Sequence, residues 1–120
     1  MSPKRVNDRY DLEAIRLRPN TSARDSMLVE AISSLQVHGT TFHLLESVPD
    51  QFEDQYIVLV DAKLVISFEL LRGRSDTSAK NVQIWFLADY RRDVGQGHRR
   101  TLLDLAANAA REIAHLQNSR

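Results

Sequence analysis

Two apolar stretches separated by only three residues constrain the fold of this chain most. Residues 56–60 are apolar at every position, which is typical of a central strand covered on both faces. Residues 64–70 place an apolar side chain at every second position, which is the period of a strand. The three residues between them, 61–63, leave room only for a hairpin turn. The sequence therefore predicts an antiparallel strand pair at the centre of the domain.

Two further strands and two helices follow from the same kind of spacing. Residues 41–48 and 82–90 alternate as strands do, and residues 23–37 have the apolar spacing of an amphipathic helix. Ser22 and Asp25 have capping-box spacing ahead of this helix, and Gly39 is expected to end it in the left-handed conformation. An alanine-rich helix follows residue 97 or 101, since Thr101 and Asp104 repeat the capping-box spacing. It carries Leu102, Leu105, Ala106, Ala109, Ile113 and Leu116 at helical spacing.

The order of these elements predicts an α+β fold in two layers. Short connections favour a four-stranded antiparallel meander, with an N-terminal and a C-terminal helix packed on one face. We expect a polar N-terminal arm over residues 1–21 and a single domain over residues 22–120. The second face of the sheet needs a cover, which is either the arm or a second copy of the chain in a homodimer. That predicted interface consists of Ile57, Leu59, Val65, Trp85 and Leu87.

Composition excludes several classes of protein. The chain has 120 residues, 42% of them hydrophobic and 27% charged, which is the balance of one globular domain. There is no cysteine, so disulfides, thiolate zinc sites, iron–sulfur clusters and cysteine nucleophiles are excluded, and a cytoplasmic location fits. No apolar stretch approaches the ~20 residues of a membrane span, and we expect no membrane association. The first residues lack the apolar core of a secretory signal.

Charge is divided unevenly along a chain whose net charge is zero. Residues 25–62 contain seven acidic residues and no lysine or arginine, whereas residues 63–120 contain ten basic and six acidic residues. The differently charged segments are either separate solvated surfaces or an acidic patch that meets a basic patch, within one chain or between subunits. A solvated acidic turn, or a docking patch for a basic protein partner, is predicted at Glu46, Asp50, Glu53 and Asp54.

Residues 91–100 combine arginines, two glycines and an adjacent helix start. Backbone amides at a helix start and arginine side chains both bind anions. The candidate anion- or cofactor-binding residues are Arg91, Arg92, Gly95, Gly97, His98, Arg99 and Arg100. We assign no catalytic residue, and the four histidines lack the spacing of a metal site, so none is assigned to a metal.

Residues 92–97 have the pattern R-x-x-G-x-G between a predicted strand and a helix. Over residues 55–114 the chain thereby resembles GNAT-family N-acetyltransferases, in which a loop of this form holds the pyrophosphate of acetyl-CoA. The resemblance implies acetyl-CoA as the cofactor, with Arg92, Gly95 and Gly97 at the phosphate-contacting positions. It carries over no general base. On the residues alone, no cofactor is expected.

Two other functions are compatible with the same residues. A basic cluster could bind nucleic-acid phosphates, and it consists of Arg72, Arg74, Lys80, Arg91, Arg92, Arg99 and Arg100. The candidates for stacking on bases are Tyr56, Trp85 and Tyr90. However, the zero net charge argues against a dedicated nucleic-acid binder. The apolar second face and the divided charge favour a small binding or regulatory domain that acts through protein contacts.

Overall fold

The computed structural model describes residues 11–72 and 78–118, and it contains one four-stranded sheet. The strands follow one another in the order β1-β2-β3-β4, and each pairs antiparallel with its neighbour. The predicted α+β class is confirmed, as is the antiparallel meander with helices towards both ends of the chain. The elements are α1 (Leu12–Ile15), α2 (Ala23–Ser34), β1 (Phe42–Pro49), β2 (Glu53–Val60), β3 (Leu64–Leu71), β4 (Lys80–Phe86), α3 (Leu87–Asp93) and α4 (His98–Asn118).

Helices α2 and α4 cover opposite faces of the sheet. On the first face, Leu28 and Ile32 of α2 belong to one core cluster with Val58 and Phe68. On the second face, Leu103 and two alanines of α4 pack against Leu59 and Val65. The structure differs from the expectation that both helices share one face, so the sheet is the middle layer of three. Strand β2 explains this, since its apolar side chains alternate to both faces and each face needs a cover.

The described part of the N-terminal arm packs on the sheet. Arg16 forms an isolated antiparallel bridge with His43 of β1, and the Leu17 N–H donates to the Phe42 carbonyl over 2.7 Å. Leu17 is 3% exposed and belongs to the first core cluster, while Leu12 packs against the second. This segment covers the free edge of β1. Residues 1–10 of the predicted arm lie outside the described residues.

The start of α2 was predicted correctly, and its end was not. The Ser22 hydroxyl accepts the Asp25 N–H over 3.1 Å, as the capping box requires. The helix ends at Ser34, and the left-handed residue beyond it is Gln36, at φ 62°, rather than Gly39. Gly39 is needed for another reason. A side chain at Gly39 would collide with that of Val60.

The predicted strand 82–90 is too long. Strand β4 ends at Phe86, and residues 87–93 form α3, which turns back over the second face. The Leu87 N–H still donates to the Lys63 carbonyl over 2.9 Å. In α3 the Tyr90 ring then lies 5.3 Å from the Trp85 ring, centroid to centroid. Burial of Tyr90 and Leu87 against the second core cluster outweighs continuation of the strand.

Candidate functional site

The glycine loop lies directly before α4, which starts at the earlier of the two predicted positions. Gly95 has φ +68° and Gly97 has φ +114°, in the left-handed region that favours glycine. The Thr101 N–H and the Thr101 hydroxyl both bond to the Gly97 carbonyl, each over 3.0 Å. The first turn of α4 thus closes on Gly97. The two glycines are explained by backbone conformation, since no heavy atom lies within 4 Å of a Cβ built at either position.

Three arginines around this loop form ion pairs with acids of the same chain. Arg91 contacts both carboxylate oxygens of Asp104, over 2.8 and 3.2 Å. Arg92 contacts Asp89 over 2.7 Å within α3. An incoming phosphate would have to compete with these carboxylates. Because the pairs are largely exposed, each contributes only about 0–1 kcal/mol.

The third pair, between Arg99 and Glu46 over 3.0 Å, results from a bulge in β1. The register of β1 against β2 shifts between Leu44 and Glu46, so Glu46 lies opposite Ile57 of the second face. A bulge of this kind redirects a side chain, and here it turns Glu46 towards α4. A cavity of about 220 Å³ lies beside the pair, lined by Leu45, Glu46, Tyr90, His98, Arg99 and Leu102.

The chemistry of this cavity is that of a half-buried tyrosine beside an ion pair. Burial raises the pKa of the Tyr90 phenol, and the nearby Glu46 carboxylate raises it further. Of the predicted loop residues, His98 and Arg99 line the cavity, and Arg91, Arg92 and Arg100 do not. The sequence did not place Glu46 and Tyr90 at this site. Nothing in the alternation of residues 41–48 indicates the bulge that turns Glu46 towards α4, and Tyr90 was predicted to lie in a strand.

The predicted acidic patch does not form one surface. Asp54 contacts Arg72 over 2.8 Å, and Glu53 contacts Lys80 over 3.6 Å. Arg72 also donates to the Asp50 carbonyl over 2.7 Å. Glu46 lies apart from these residues, beneath α4. Three acids of the central segment, Glu46, Glu53 and Asp54, thus pair with basic residues of the C-terminal part of the same chain, and the docking patch for a basic partner stays a prediction.

The predicted nucleic-acid surface is also divided. Lys80 opens β4 and Arg72 lies near it, whereas the arginines of the glycine loop follow the other end of β4, about 20 Å away for a seven-residue strand. Arg74 lies outside the described residues. The aromatic residues do not form a platform, since Tyr56 packs against Phe68 on the first face and is 6% exposed.

The predicted interface on the second face is closed by the chain itself. Leu59 and Val65 are fully buried beneath α4, so a partner cannot reach them while α4 is packed. The other three predicted interface residues are partly buried and pack against the same cluster, namely Ile57, Trp85 and Leu87. The reason is the placement of α4 on the second face.

An apolar surface is left open at β4 on the first face. Ile84 is 49% exposed and Phe86 is 70% exposed, although both belong to the sheet. They pair with Ile66 and Leu64 of β3. The alternation of residues 82–90 places both on the face opposite Trp85 and Leu87, which is the face that the sequence predicts to be covered by the two helices. Helix α2 shares its core cluster with buried residues of β1, β2 and β3, and β4 contributes to it through the partly buried Val82, while Ile84 and Phe86 stay exposed.

Within residues 11–72 and 78–118, no strand pairs with the outer side of β4. The sheet order places β4 at an edge. The N–H and C=O groups of successive residues in a strand point alternately to either side. The Leu87 N–H donates to Lys63 on the β3 side, so the N–H and C=O groups of Trp85, two residues earlier, also point towards β3. Ile84 and Phe86 then direct their N–H and C=O groups outward. The opposite edge differs, since β1 is covered by Arg16 and Leu17 and ends in Pro49.

Over residues 11–72 and 78–118, no three histidine, aspartate or glutamate side chains are grouped closely enough to hold a metal ion. In the same part of the chain, no helix combines the length and the apolar character that crossing a membrane requires. Comparisons of the chain with models of protein families, with curated proteins and with solved structures found no match.

The resemblance implies that the chain binds acetyl-CoA, and the residues alone imply that it has no cofactor. Both stay predictions, and calorimetric titration tests them. Since Arg92 and its neighbours already pair with acids, we expect no saturable micromolar binding of acetyl-CoA at moderate salt. The opposite result, binding that is lost when Gly95 and Gly97 are both replaced by valine, would support the acetyltransferase-like interpretation.

Proposed function

We propose that the chain is a small intracellular protein-binding domain that uses the open edge of β4 as its contact surface. The observation that carries the proposal is the exposure of Ile84 and Phe86 on an edge strand. Sheet edges with unpaired N–H and C=O groups accept an added strand, and apolar side chains beside the edge supply affinity.

The lack of protection on this edge supports the same proposal. Natural proteins block free edges with charges, prolines, bulges or a covering segment. In β4 both protective features lie in the first part of the strand. The charged residue is Lys80, which opens the strand, and the register shift lies between Lys80 and Gln83. The second half of the strand, residues 83–86, contains neither a charge nor a proline. β1, in contrast, has a bulge, a terminal proline and a covering segment.

Peptide selection on the immobilised protein tests the proposal. We expect displayed random peptides that are retained to be rich in β-branched and aromatic residues, as an added strand would be. Their affinity should fall by about tenfold or more in Phe86→Ser, since an interface aromatic residue commonly contributes 2 kcal/mol or more. Phe52→Ser is the matched control, because Phe52 is 73% exposed in the β1–β2 turn and lies outside β4.

A backbone variant separates strand addition from simple hydrophobic contact. Ile84→Pro removes one outward N–H and leaves the hydrogen bonds to β3 in place, because proline is tolerated on the free side of an edge strand. We expect it to abolish peptide binding, whereas Gln83→Ala, next to it, should not. Folding of each variant is checked by the fluorescence of Trp85, the single tryptophan. Peptides that bind Phe86→Ser and Ile84→Pro as tightly as the wild type would refute the proposal.

A further inference from the structure

We propose that the strand added at this edge is β4 of a second copy of the chain, antiparallel and related by a two-fold axis at Ile84. The inference rests on the proposed function and names its partner. In this arrangement Ile84 pairs with Ile84, and Val82 pairs with Phe86 of the other copy. Two four-stranded sheets would join into one sheet of eight strands.

The register follows from the direction of the backbone groups. The backbone N–H and C=O groups of Ile84 and Phe86 point away from β3, so these are the residues that exchange hydrogen bonds with an added antiparallel strand. A two-fold axis at Ile84 pairs only apolar side chains on the first face. An axis at Gln83 would place Phe86 opposite Lys80, and an axis at Trp85 would extend the pairing into α3, which begins at Leu87. Neither alternative uses the whole apolar surface.

Charge complements this register. The strand contains one basic residue, Lys80, at its beginning, and Asp89 lies just past its end in α3. Antiparallel pairing about Ile84 brings Lys80 of one copy towards the start of α3 in the other copy. The Asp89 side chain is 50% exposed and pairs with Arg92 over 2.7 Å, so Lys80 of the other copy would join that exposed pair. The two-fold axis produces this contact twice.

The extent of the surface sets the strength of the complex. Stable interfaces bury about 1,200–2,000 Å² in total, and one short edge strand from each copy lies at or below that range. We therefore expect a dimer with a dissociation constant in the micromolar range. Isologous pairing uses up the edge in both copies, so association stops at two chains.

Cysteine cross-linking tests the register directly, since the chain has no cysteine of its own. Residues that face each other in a hydrogen-bonded antiparallel pair have Cα atoms about 5.5 Å apart, within the range that a disulfide spans. Under mild oxidation Ile84→Cys is expected to form a covalent dimer several times faster than Phe52→Cys, a control at a more exposed position. Val82→Cys and Phe86→Cys should cross-link when mixed, and much less when each is alone.

Sedimentation of the unmodified protein provides the second measurement. With rising concentration we expect the molar mass to climb from 13.7 kDa towards twice that value, and Ile84→Pro to remain at 13.7 kDa. A wild-type mass that stays at 13.7 kDa at high micromolar concentration overturns the inference. So does an Ile84→Cys variant that cross-links no faster than Phe52→Cys. If β4-dependent peptide binding persists in either case, the proposed function stands and only the identity of the partner is wrong.

Discussion

Replacing Asp61 by alanine is expected to lower the free energy of unfolding by about 3 kcal/mol. The Asp61 Oδ1 atom accepts the N–H groups of Thr40 and Thr41, each over 2.9 Å, and the Thr41 hydroxyl over 3.3 Å. In return, the Asp61 N–H donates to the Thr41 carbonyl over 2.8 Å. The side chain therefore ties the β2–β3 turn to the start of β1. Thr41 is 2% exposed, so in the alanine variant its N–H would be buried without a hydrogen-bond acceptor, which is costly because water cannot replace Asp61 there.

Backbone conformation adds to this loss. Asp61 has φ 53°, a left-handed conformation that aspartate and asparagine tolerate better than alanine does. Asp61→Asn keeps both the acceptor oxygen and this tolerance, so it should lose about 1 kcal/mol or less. Urea unfolding followed by Trp85 fluorescence measures both variants. Equal losses in the alanine and asparagine variants would show that the hydrogen bonds of Asp61 do not matter for stability.

Acid is expected to destabilise the fold below pH 6.5 through His43. The side chain is 1% exposed, and its Nδ1 atom has no hydrogen-bond partner among the described residues. Burial lowers the pKa of His43 from 6.5, and the positive charge of Arg16 lowers it further, while Glu13 opposes the shift. In the unfolded chain the imidazole takes up its proton near pH 6.5. Between that value and the lower folded pKa, the unfolded state binds more protons, so stability falls as the pH falls.

The effect of His43 is bounded and can be isolated. One proton changes the free energy of unfolding by at most about 1.4 kcal/mol per pH unit. Above pH 6.5 the contribution is fully present. Urea unfolding at several pH values from about 8 to about 5 should show a smaller slope in His43→Leu than in the wild type. His38→Gln is the control, because His38 is an exposed histidine. An unchanged slope in His43→Leu would rule out His43 as the group responsible.

Local patterns made most of the fold predictable from the sequence. The β2–β3 hairpin follows from an uninterrupted apolar run before a three-residue turn and an alternating run after it, and the structure has β3 starting at Leu64 as this pattern requires. The start of α2 follows from Ser22 and Asp25, whose capping hydrogen bond forms between neighbours in the chain. These features need no knowledge of how distant segments meet.

The placement of α4 and the existence of α3 depend on distant contacts. The uninterrupted apolar run of residues 56–60 shows that β2 is apolar on both faces, but it does not say which helix covers which face. In the same way, residues 87–90 continue the alternation of a strand, and burial of Leu87 and Tyr90 against the second core cluster favours the turn into a helix. The face that α4 covers and the helix α3 were both predicted wrongly, because both depend on packing against the second face.

The candidate site shows the same division. The sequence identified Gly95 and Gly97 as special, and both have positive φ. It did not identify the acids that pair with the neighbouring arginines, because Arg99 and Glu46 lie 53 residues apart and meet only through the bulge in β1. Ile84 and Phe86 were identified as apolar, yet their exposure depends on how much of the sheet α2 covers.

The opposite placement of α2 and α4 has a consequence for the protein during its synthesis. All the buried members of the first core cluster lie between Leu17 and Leu70, so that half of the interior can close while the ribosome is still adding residues. The second cluster needs Leu103 and the alanines that follow it. Until they emerge, Leu59 and Val65 face solvent on a nascent chain whose first half is already folded. A chaperone that recognises exposed apolar strands would meet this chain at that stage.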